Sequence, residues 1–216
     1  MKNKAVIFDL DGTLLDTLPD IAENINLMLK KFGDPELSLK EVRGHIGHGA
    51  KNLVKDCVGV PLKEDELSER LKYYNEIYTA SSSPKTGLFP GISDMLKEVK
   101  KLGYKTAILT NKPQETTDRV VKEHLSEFEF DLVVGQSANV KCKPDKTAAL
   151  SILEKLDADP EKSFMVGDGE TDVLTAVNAG INGIAVLWGY RDKNVLAESG
   201  AKCFANTPED ILSVLR

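Results

Sequence analysis

The sequence predicts an α/β protein in which a doubly wound parallel sheet carries an inserted, all-α block. Three observations support this fold class. An apolar run at 5–8 ends in an acidic residue, as a buried parallel strand does at a functional loop. From about residue 104 onward, strand patterns alternate with helical patterns, whereas residues 15–85 show helical patterns only. Such alternation is typical of a parallel sheet with helices on both faces.

Each element of the sheet domain follows from apolar periodicity and from the residues that end it. After the strand at 5–8, the pattern predicts strands at 104–109, 131–134, 163–166, 184–187 and 202–204. It predicts helices at 92–102, 114–125, 145–156, 171–179, 193–199 and 208–215. Gly103 is typical of the position after a helix end, and Thr207 with Pro208 is typical of a helix start.

The helical block is expected to be a separate domain. Its helices are predicted at 19–31, 39–45, 50–58 and 64–79, and Ser38 and Glu41 form a capping box at the start of the second. The Ser/Pro/Gly-rich segment 81–87 is typical of a hinge. We therefore expect a core domain of residues 1–14 and 86–216 and a helical domain of residues 15–85.

Composition argues against several classes of partner. The 216 residues carry a formal net charge of −6 and a pI of about 5.2, so a general nucleic-acid-binding surface is not expected. The sequence contains neither a membrane span nor a secretion signal ahead of the first strand. Cys57, Cys142 and Cys203 are widely spaced, as free thiols in a reducing compartment are. The expectation is a cytoplasmic protein with no nucleic-acid or membrane partner.

Asp9 and Asp11 directly follow the first strand, and Gly12 comes next. Two carboxylates this close repel each other unless a cation lies between them, and a hard divalent cation such as Mg²⁺ takes oxygen ligands. Gly12 allows the backbone to approach a bound group closely. This combination indicates a site for phosphoryl transfer.

Polar residues also follow later strands. They are Thr110 and Asn111, then Lys143, then Asp168 and Asp172. In an open parallel sheet, ligands bind beyond the carboxyl ends of the strands, where the strand order reverses. We therefore expect Asp9, Asp11 and Asp168 to converge.

In this order and on these elements, the motifs resemble those of the haloacid dehalogenase superfamily of phosphohydrolases. The most specific pair is the D-x-D-G-T motif at 9–13 with the G-D-x-x-x-D motif at 167–172, and the likeness covers essentially the whole chain. The resemblance implies a Rossmann-like core and a helical cap of the first class, at residues 15–85. It also implies a Mg²⁺-dependent phosphatase that acts through an aspartyl-phosphate.

The resemblance gives each motif residue an expected role. Asp9 would be the nucleophile, Asp11 the general acid and base, and Lys143 the cation that neutralises the transferring group. Mg²⁺ would bind Asp9, the backbone carbonyl of Asp11 and Asp168. Asp172 would bind it through water or orient Lys143. Phosphate oxygens would contact Gly12, Thr13, the Thr110 hydroxyl and the Asn111 backbone N–H.

A glycine-rich stretch of the helical block is the candidate for substrate selection. Its pattern at 46–49 resembles the phosphoglycolate phosphatase branch, as does the segment 188–191. We interpret it as a loop over the active site that offers N–H groups and cations from Arg43, His45, Gly47 and His48. The alternative is a plain helix–helix turn with exposed histidines.

These observations favour a small phosphorylated metabolite as substrate, with 2-phosphoglycolate first. A cationic loop suits a carboxylate or a second phosphate equally, so a pyrophosphatase or a nucleotidase is an alternative. A phosphomutase resembling β-phosphoglucomutase is another, because it shares the core and cap. A monomer and a homodimer both agree with the sequence.

Other polar residues receive a structural interpretation. Asp16 is expected to cap a helix, Glu170 to be a first-turn helix acid and Lys112 to be a solvated neighbour of the site. Tyr73, Tyr74 and Tyr78 are expected to pack within the helical block and at its rim.

Overall fold

The computed structural model describes residues 2–216. The strands are β1 (Ala5–Phe8), β2 (Leu15–Asp16), β3 (Gly87–Leu88), β4 (Lys105–Pro113), β5 (Leu132–Gln136), β6 (Phe164–Gly167), β7 (Asn182–Val186) and β8 (Phe204–Ala205). The helices are α1 (Leu18–Phe32), α2 (Leu39–His45), α3 (Ala50–Val58), α4 (Glu64–Ala80), α5 (Ile92–Lys101), α6 (Gln114–His124), α7 (Thr147–Lys155), α8 (Glu170–Ala179), α9 (Lys193–Glu198) and α10 (Pro208–Leu215). Within residues 2–216, no helix is both long enough and apolar enough to cross a bilayer.

Six strands form one parallel sheet in the order β5-β4-β1-β6-β7-β8. β1 pairs with β4 on one side and with β6 on the other, so the chain winds away from β1 in both directions. The strand order reverses at β1, which opens a crevice beyond the carboxyl ends of β1, β4 and β6. The predicted doubly wound α/β fold is confirmed.

The central strand β1 is fully buried on both faces, which explains its unbroken apolar run. Val6 and Phe8 pack in a cluster with residues of α5 and α10, whereas Ala5 and Ile7 pack in a cluster with residues of α7 and α8. Successive side chains of a strand point to opposite faces, so a strand with helices on both sides needs apolar residues at every position. This packing fixes the end of β1, where Asp9 lies.

Helices α1 to α4 pack around a cluster of their own, which includes Ile25, Met28 and Val54. The predicted capping box is present, because the Ser38 side chain accepts from the Glu41 N–H and the Glu41 carboxylate accepts from the Ser38 N–H. Tyr190, from the segment after β7, is buried in the same cluster. The helical insert therefore has its own core and also contacts the sheet domain.

A short ribbon joins the insert to the sheet domain, and apolar periodicity did not predict it. β2 pairs with β3 in antiparallel fashion, with Leu15 opposite Leu88 and Asp16 opposite Gly87. Strands of two residues are too short to show an apolar period. The ribbon lies where the chain enters the insert and where it returns to the sheet domain. These two points are next to the domain boundaries expected at 14/15 and 85/86.

Candidate active site

Three buried carboxylates meet beyond the ends of β1 and β6. Asp9 follows β1, Asp168 follows β6, and Asp172 lies in the first turn of α8. One carboxylate oxygen from each lies within 4.8 Å of the others, and all three residues are buried. The sheet topology therefore brings together motifs that are far apart in the sequence.

Lys143 provides the positive charge in this cluster. Its Nζ lies 2.8 Å from Asp9 Oδ1 and 2.6 Å from Asp172 Oδ1, and its side chain is 1% exposed. Burial lowers the pKa of this ammonium, but Asp172 and then Asp9 outweigh burial and raise the pKa overall. Lys143 is therefore charged throughout the physiological pH range.

Three carboxylates and one ammonium leave an excess of negative charge in a buried site. Burial, and next the charge of Asp172, raise the pKa of Asp9 to about 8, although Lys143 lowers it. Burial and the charge of Asp172 likewise raise the pKa of Asp168 to about 7. A protein without a cation here would have to hold protons on these carboxylates near neutral pH.

The residues present fit a hard divalent cation. The donors are carboxylate oxygens, which Mg²⁺ prefers. Asp9 Oδ1 is buried against the Lys143 ammonium at 2.8 Å, so a single ammonium faces three clustered carboxylates. Asp9, Asp168 and Asp172 are therefore the side chains that would hold the ion.

The Asp11 side chain points to a different group of residues from the three clustered carboxylates. Its oxygens accept from Lys112 Nζ at 3.0 and 2.9 Å and from the Thr17 hydroxyl at 2.7 Å. Lys112 is only 6% exposed, so the interpretation of Lys112 as a solvated neighbour is wrong. The sequence pattern does not show this, because the partner of Lys112 is 101 residues away.

The turn after β1 supports Asp168. Gly12 has a φ of 85°, and a Cβ at this residue would overlap the Asp168 carboxylate. The Thr13 hydroxyl donates to Asp168 Oδ1 at 2.9 Å, and the Tyr190 N–H donates to Asp168 Oδ2 at 2.7 Å. A Cβ at Gly189 would also overlap Asp168. Gly189 and Tyr190 thus contribute to the site, whereas the sequence indicated for 188–191 a resemblance to the phosphoglycolate phosphatase branch and no role for either residue.

The end of β4 places Thr110 and Asn111 beside the cluster, and both are buried. Asn111 holds the backbone of Lys143 on both sides: Oδ1 accepts from its N–H at 2.7 Å, and Nδ2 donates to its carbonyl at 3.1 Å. Nδ2 also donates to the Gly47 carbonyl at 2.9 Å, so the same amide touches the insert. The Asn111 side chain therefore positions Lys143 and also links it to the insert.

Side chains of the insert loop, residues 43–49, bind the core domain. Arg43 donates to the Gly189 carbonyl at 3.1 Å, and His48 Nε2 lies 3.0 Å from Glu170 Oε1. Arg191 donates to Glu170 Oε2 at 2.9 Å and to the Arg43 carbonyl at 3.1 Å. Glu170 is therefore more than a first-turn helix acid, because it links the core domain to the insert.

A cavity lies between the insert and the ends of β1 and β4. The core side contributes Asp9, Asp11, Thr110, Asn111 and Lys112, and the insert side includes Gly47, Gly49, Tyr74 and Tyr78. Of the loop residues expected to contact substrate, Gly47 lines the cavity. Arg43, His45 and His48 are not among the lining residues, so their positions do not support direct substrate contact.

Comparison with known proteins identifies the family. The haloacid dehalogenase-like hydrolase family matches residues 6–186. The chain is 33% identical over 214 residues to phosphoglycolate phosphatase 1 of Pseudomonas aeruginosa. This match covers 97% of this chain and 78% of the relative. It is 32% identical to a phosphoglycolate phosphatase of Vibrio cholerae, over 91% of this chain and 89% of the relative.

A solved structure shows the same architecture. The crystal structure of a predicted phosphoglycolate phosphatase from Haemophilus somnus superposes with a TM-score of 0.90 at 27% identity, and the match covers 100% of this chain and 99% of the other. The chain belongs to the haloacid dehalogenase-like hydrolase family, as its motifs predicted. The expectation of a phosphatase agrees with the names of these relatives.

Proposed function

We propose that this protein is a Mg²⁺-dependent phosphatase that hydrolyses 2-phosphoglycolate through an aspartyl-phosphate. The observation that carries the proposal is the convergence of Asp9, Asp168 and Asp172 with Lys143 beyond the carboxyl ends of β1 and β6. When bound, Mg²⁺ would withdraw charge from the phosphoryl group and reduce the repulsion between this group and Asp9.

Asp9 is the proposed nucleophile. One of its carboxylate oxygens forms a bond to phosphorus while the bond from phosphorus to the substrate's ester oxygen breaks. Asp11, in its carboxylic acid form, donates its proton to that leaving oxygen, so glycolate departs as an alcohol and Asp11 becomes a carboxylate. This carboxylate then takes a proton from water, and the water oxygen attacks phosphorus. The bond between the Asp9 oxygen and phosphorus breaks, which releases inorganic phosphate and restores the Asp9 carboxylate and the Asp11 carboxylic acid.

The surrounding groups hold the phosphoryl oxygens in the proposed reaction. The Lys143 ammonium stabilises negative charge as the group transfers, and Asn111 and Asp172 fix its position. The Thr110 hydroxyl and the Asn111 backbone N–H are the proposed donors to phosphate, whereas the Gly12 N–H already donates to the Leu15 carbonyl at 2.9 Å. Thr13 acts mainly through Asp168, to which its hydroxyl donates.

Three features support a small substrate that carries a carboxylate. Relatives that match 90% or more of the chain are named phosphoglycolate phosphatases. The insert covers one side of the cavity, as suits a small substrate. A lysine lies inside it beside Asp11, away from Lys143.

We also propose that residues 15–85 act as a cap that opens for substrate and product. The support is the separate core of the insert, the short β2–β3 ribbon and the polar contacts through which the insert loop meets the core domain.

Cys57, Cys142 and Cys203 are unpaired, which supports a reducing cytoplasmic location.

Phosphate release from a substrate panel tests the proposal. The panel is 2-phosphoglycolate, pyrophosphate, nucleoside monophosphates and hexose phosphates, each with Mg²⁺ and with EDTA, and Asp9→Asn is the control. We expect Mg²⁺-dependent release with 2-phosphoglycolate preferred. A preference for pyrophosphate or a nucleotide would reject 2-phosphoglycolate as the substrate. Conversion of a hexose phosphate to its isomer with a bisphosphate activator would replace hydrolysis by the mutase reaction.

A further inference from the structure

A single cationic side chain lines the cavity between the insert and the core domain. The lining residues all belong to the described part of the chain, and Lys112 is the one lysine or arginine among them. The arginine and histidines of the insert loop lie outside the lining. An anionic group entering this space would therefore meet Lys112 as its counter-charge.

The Lys112 ammonium is held in place but not saturated with acceptors. It donates to the two oxygens of Asp11, and its Nζ lies 4.7 Å from the centre of the Tyr78 ring. An ammonium has three N–H donors, and Asp11 is its one hydrogen-bond partner among residues 2–216. A donor remains for a ligand, and burial makes a charge-assisted hydrogen bond to it strong.

Lys112 lies at a suitable distance from the phosphate site. Thr110 and Lys112 are two residues apart on the extended end of β4, and the Lys112 N–H donates to the Thr110 hydroxyl at 3.2 Å. Both residues line the same cavity, although the pairing of β4 with β5 is irregular between Leu109 and Pro113. This proximity suits a molecule whose phosphate contacts Thr110 and whose second anionic group is a few bonds away.

The insert contributes backbone donors to the same space. Gly49 and Ala50 line the cavity at the start of α3. The first turn of this helix has no side-chain cap, so its N–H groups are open to a ligand. A helix start favours negative charge, which adds to the effect of Lys112.

We propose that Lys112 is the specificity-determining residue that binds the carboxylate of the substrate, and that it selects short phosphomonoesters bearing a carboxylate. This inference rests on the proposed phosphatase function and assigns its substrate class to one side chain. The ammonium bridges Asp11 and the substrate carboxylate, which also brings the leaving oxygen close to Asp11.

Two inert ligands test the proposal without turnover. 3-Phosphonopropionate has the shape of 2-phosphoglycolate, and propylphosphonate has a methyl group in place of its carboxylate. Their dissociation constants would be measured by calorimetry with saturating Mg²⁺. We expect wild-type protein to bind 3-phosphonopropionate about ten- to hundredfold more tightly, as one charge-assisted hydrogen bond would produce. Equal affinities would overturn the proposal.

Substitution of Lys112 then tests whether this side chain produces the preference for the carboxylate-bearing ligand. Lys112→Met should abolish most of the affinity ratio, and Lys112→Arg should keep part of it. The matched control is Lys51→Met, because Lys51 is exposed and pairs with Glu64. Loss of the ratio in Arg43→Met but not in Lys112→Met would assign recognition to the insert loop and overturn the proposal. Because a ratio is compared, a general weakening of phosphonate binding does not affect the result.

Turnover separates this inference from the proposed function. No phosphate release from either 2-phosphoglycolate or ethyl phosphate would reject the phosphatase but leave the binding result valid. Release from both, with an unchanged preference in Lys112→Met, would reject the role of Lys112 and leave the phosphatase intact.

Discussion

Lys143→Met is the substitution whose effect follows most directly from the site. Lys143 is the ammonium between Asp9 and Asp172, and methionine keeps its length without its charge. Removing one partner of a buried ion pair leaves an uncompensated charge and costs about 3–5 kcal/mol. We expect a loss of unfolding free energy of this size in EDTA at about pH 8, where carboxylate repulsion is strongest.

The pH dependence of this loss identifies its cause. The pKa of Asp9 is already raised to about 8 with Lys143 present, and without it the carboxylates hold protons more tightly. Protonation relieves the repulsion, so the deficit should shrink by up to about 3 kcal/mol between pH 8 and pH 6 if the variant binds about one proton more than wild type, at roughly 1.4 kcal/mol per pH unit. Turnover should fall about 10²- to 10³-fold, as for loss of a donor to the transition state.

Urea unfolding of wild type and variant in EDTA at the two pH values measures the stability effect. Lys141→Met is the matched control, because Lys141 is 75% exposed and its pair with Asp145 is a surface pair. Such pairs contribute about 0–1 kcal/mol. A Lys143→Met protein as stable as this control at pH 8, or a deficit that does not change with pH, would refute the electrostatic account of the cluster.

Three further predictions follow from the same contacts. Because the pKa of Asp9 is about 8 and that of Asp168 about 7 without metal, both above the usual 3.8, the folded protein holds protons that the unfolded chain has lost. The free energy of unfolding in EDTA should therefore fall as the pH rises from about 4 to about 8. The Mg²⁺ affinity, measured by calorimetry, should rise over the same range as those protons leave. A Mg²⁺ affinity independent of pH would contradict this. Gly12→Ala should weaken Mg²⁺ binding, because its Cβ overlaps Asp168, and should destabilise by more than the roughly 1 kcal/mol of a left-handed φ alone. Gly33→Ala is its control, with a φ of 78° and no atom within 4 Å, and equal effects of the two would exclude the overlap. Arg191→Met should raise KM and speed proteolysis at 81–87, because Arg191 binds Glu170 and two carbonyls of the insert. Arg70→Met is the control: it removes an ion pair with Asp34 inside the insert and should change neither KM nor proteolysis.

The fold was predictable because its signals are local. The apolar run of β1 and the alternation after residue 104 each require only neighbouring residues, and the observed strands agree within a few positions. β4 continues beyond the predicted end at 109, since the chain remains paired with β5 past a register shift between Leu109 and Pro113. The β2–β3 ribbon was missed because pairing of two residues has no period.

The site was predictable only where topology alone determines proximity. The convergence of Asp9 with Asp168 follows from where the strand order reverses, so motif position was sufficient. The partners of Lys112 and Arg191 depend on how the insert packs on the core domain, and no local pattern encodes this. The glycine-rich pattern and its cationic residues suggested a loop that contacts the substrate, but the charged side chains of this loop instead bind a core carbonyl and Glu170.

The central claim is that Asp9 accepts the phosphoryl group. The most direct measurement is mass spectrometry of the protein after acid quenching within the first turnover of 2-phosphoglycolate with Mg²⁺. The account predicts phosphate bound to the peptide that contains Asp9, and none in Asp9→Asn or in EDTA. Phosphate on another residue, or full activity in Asp9→Asn, would contradict it.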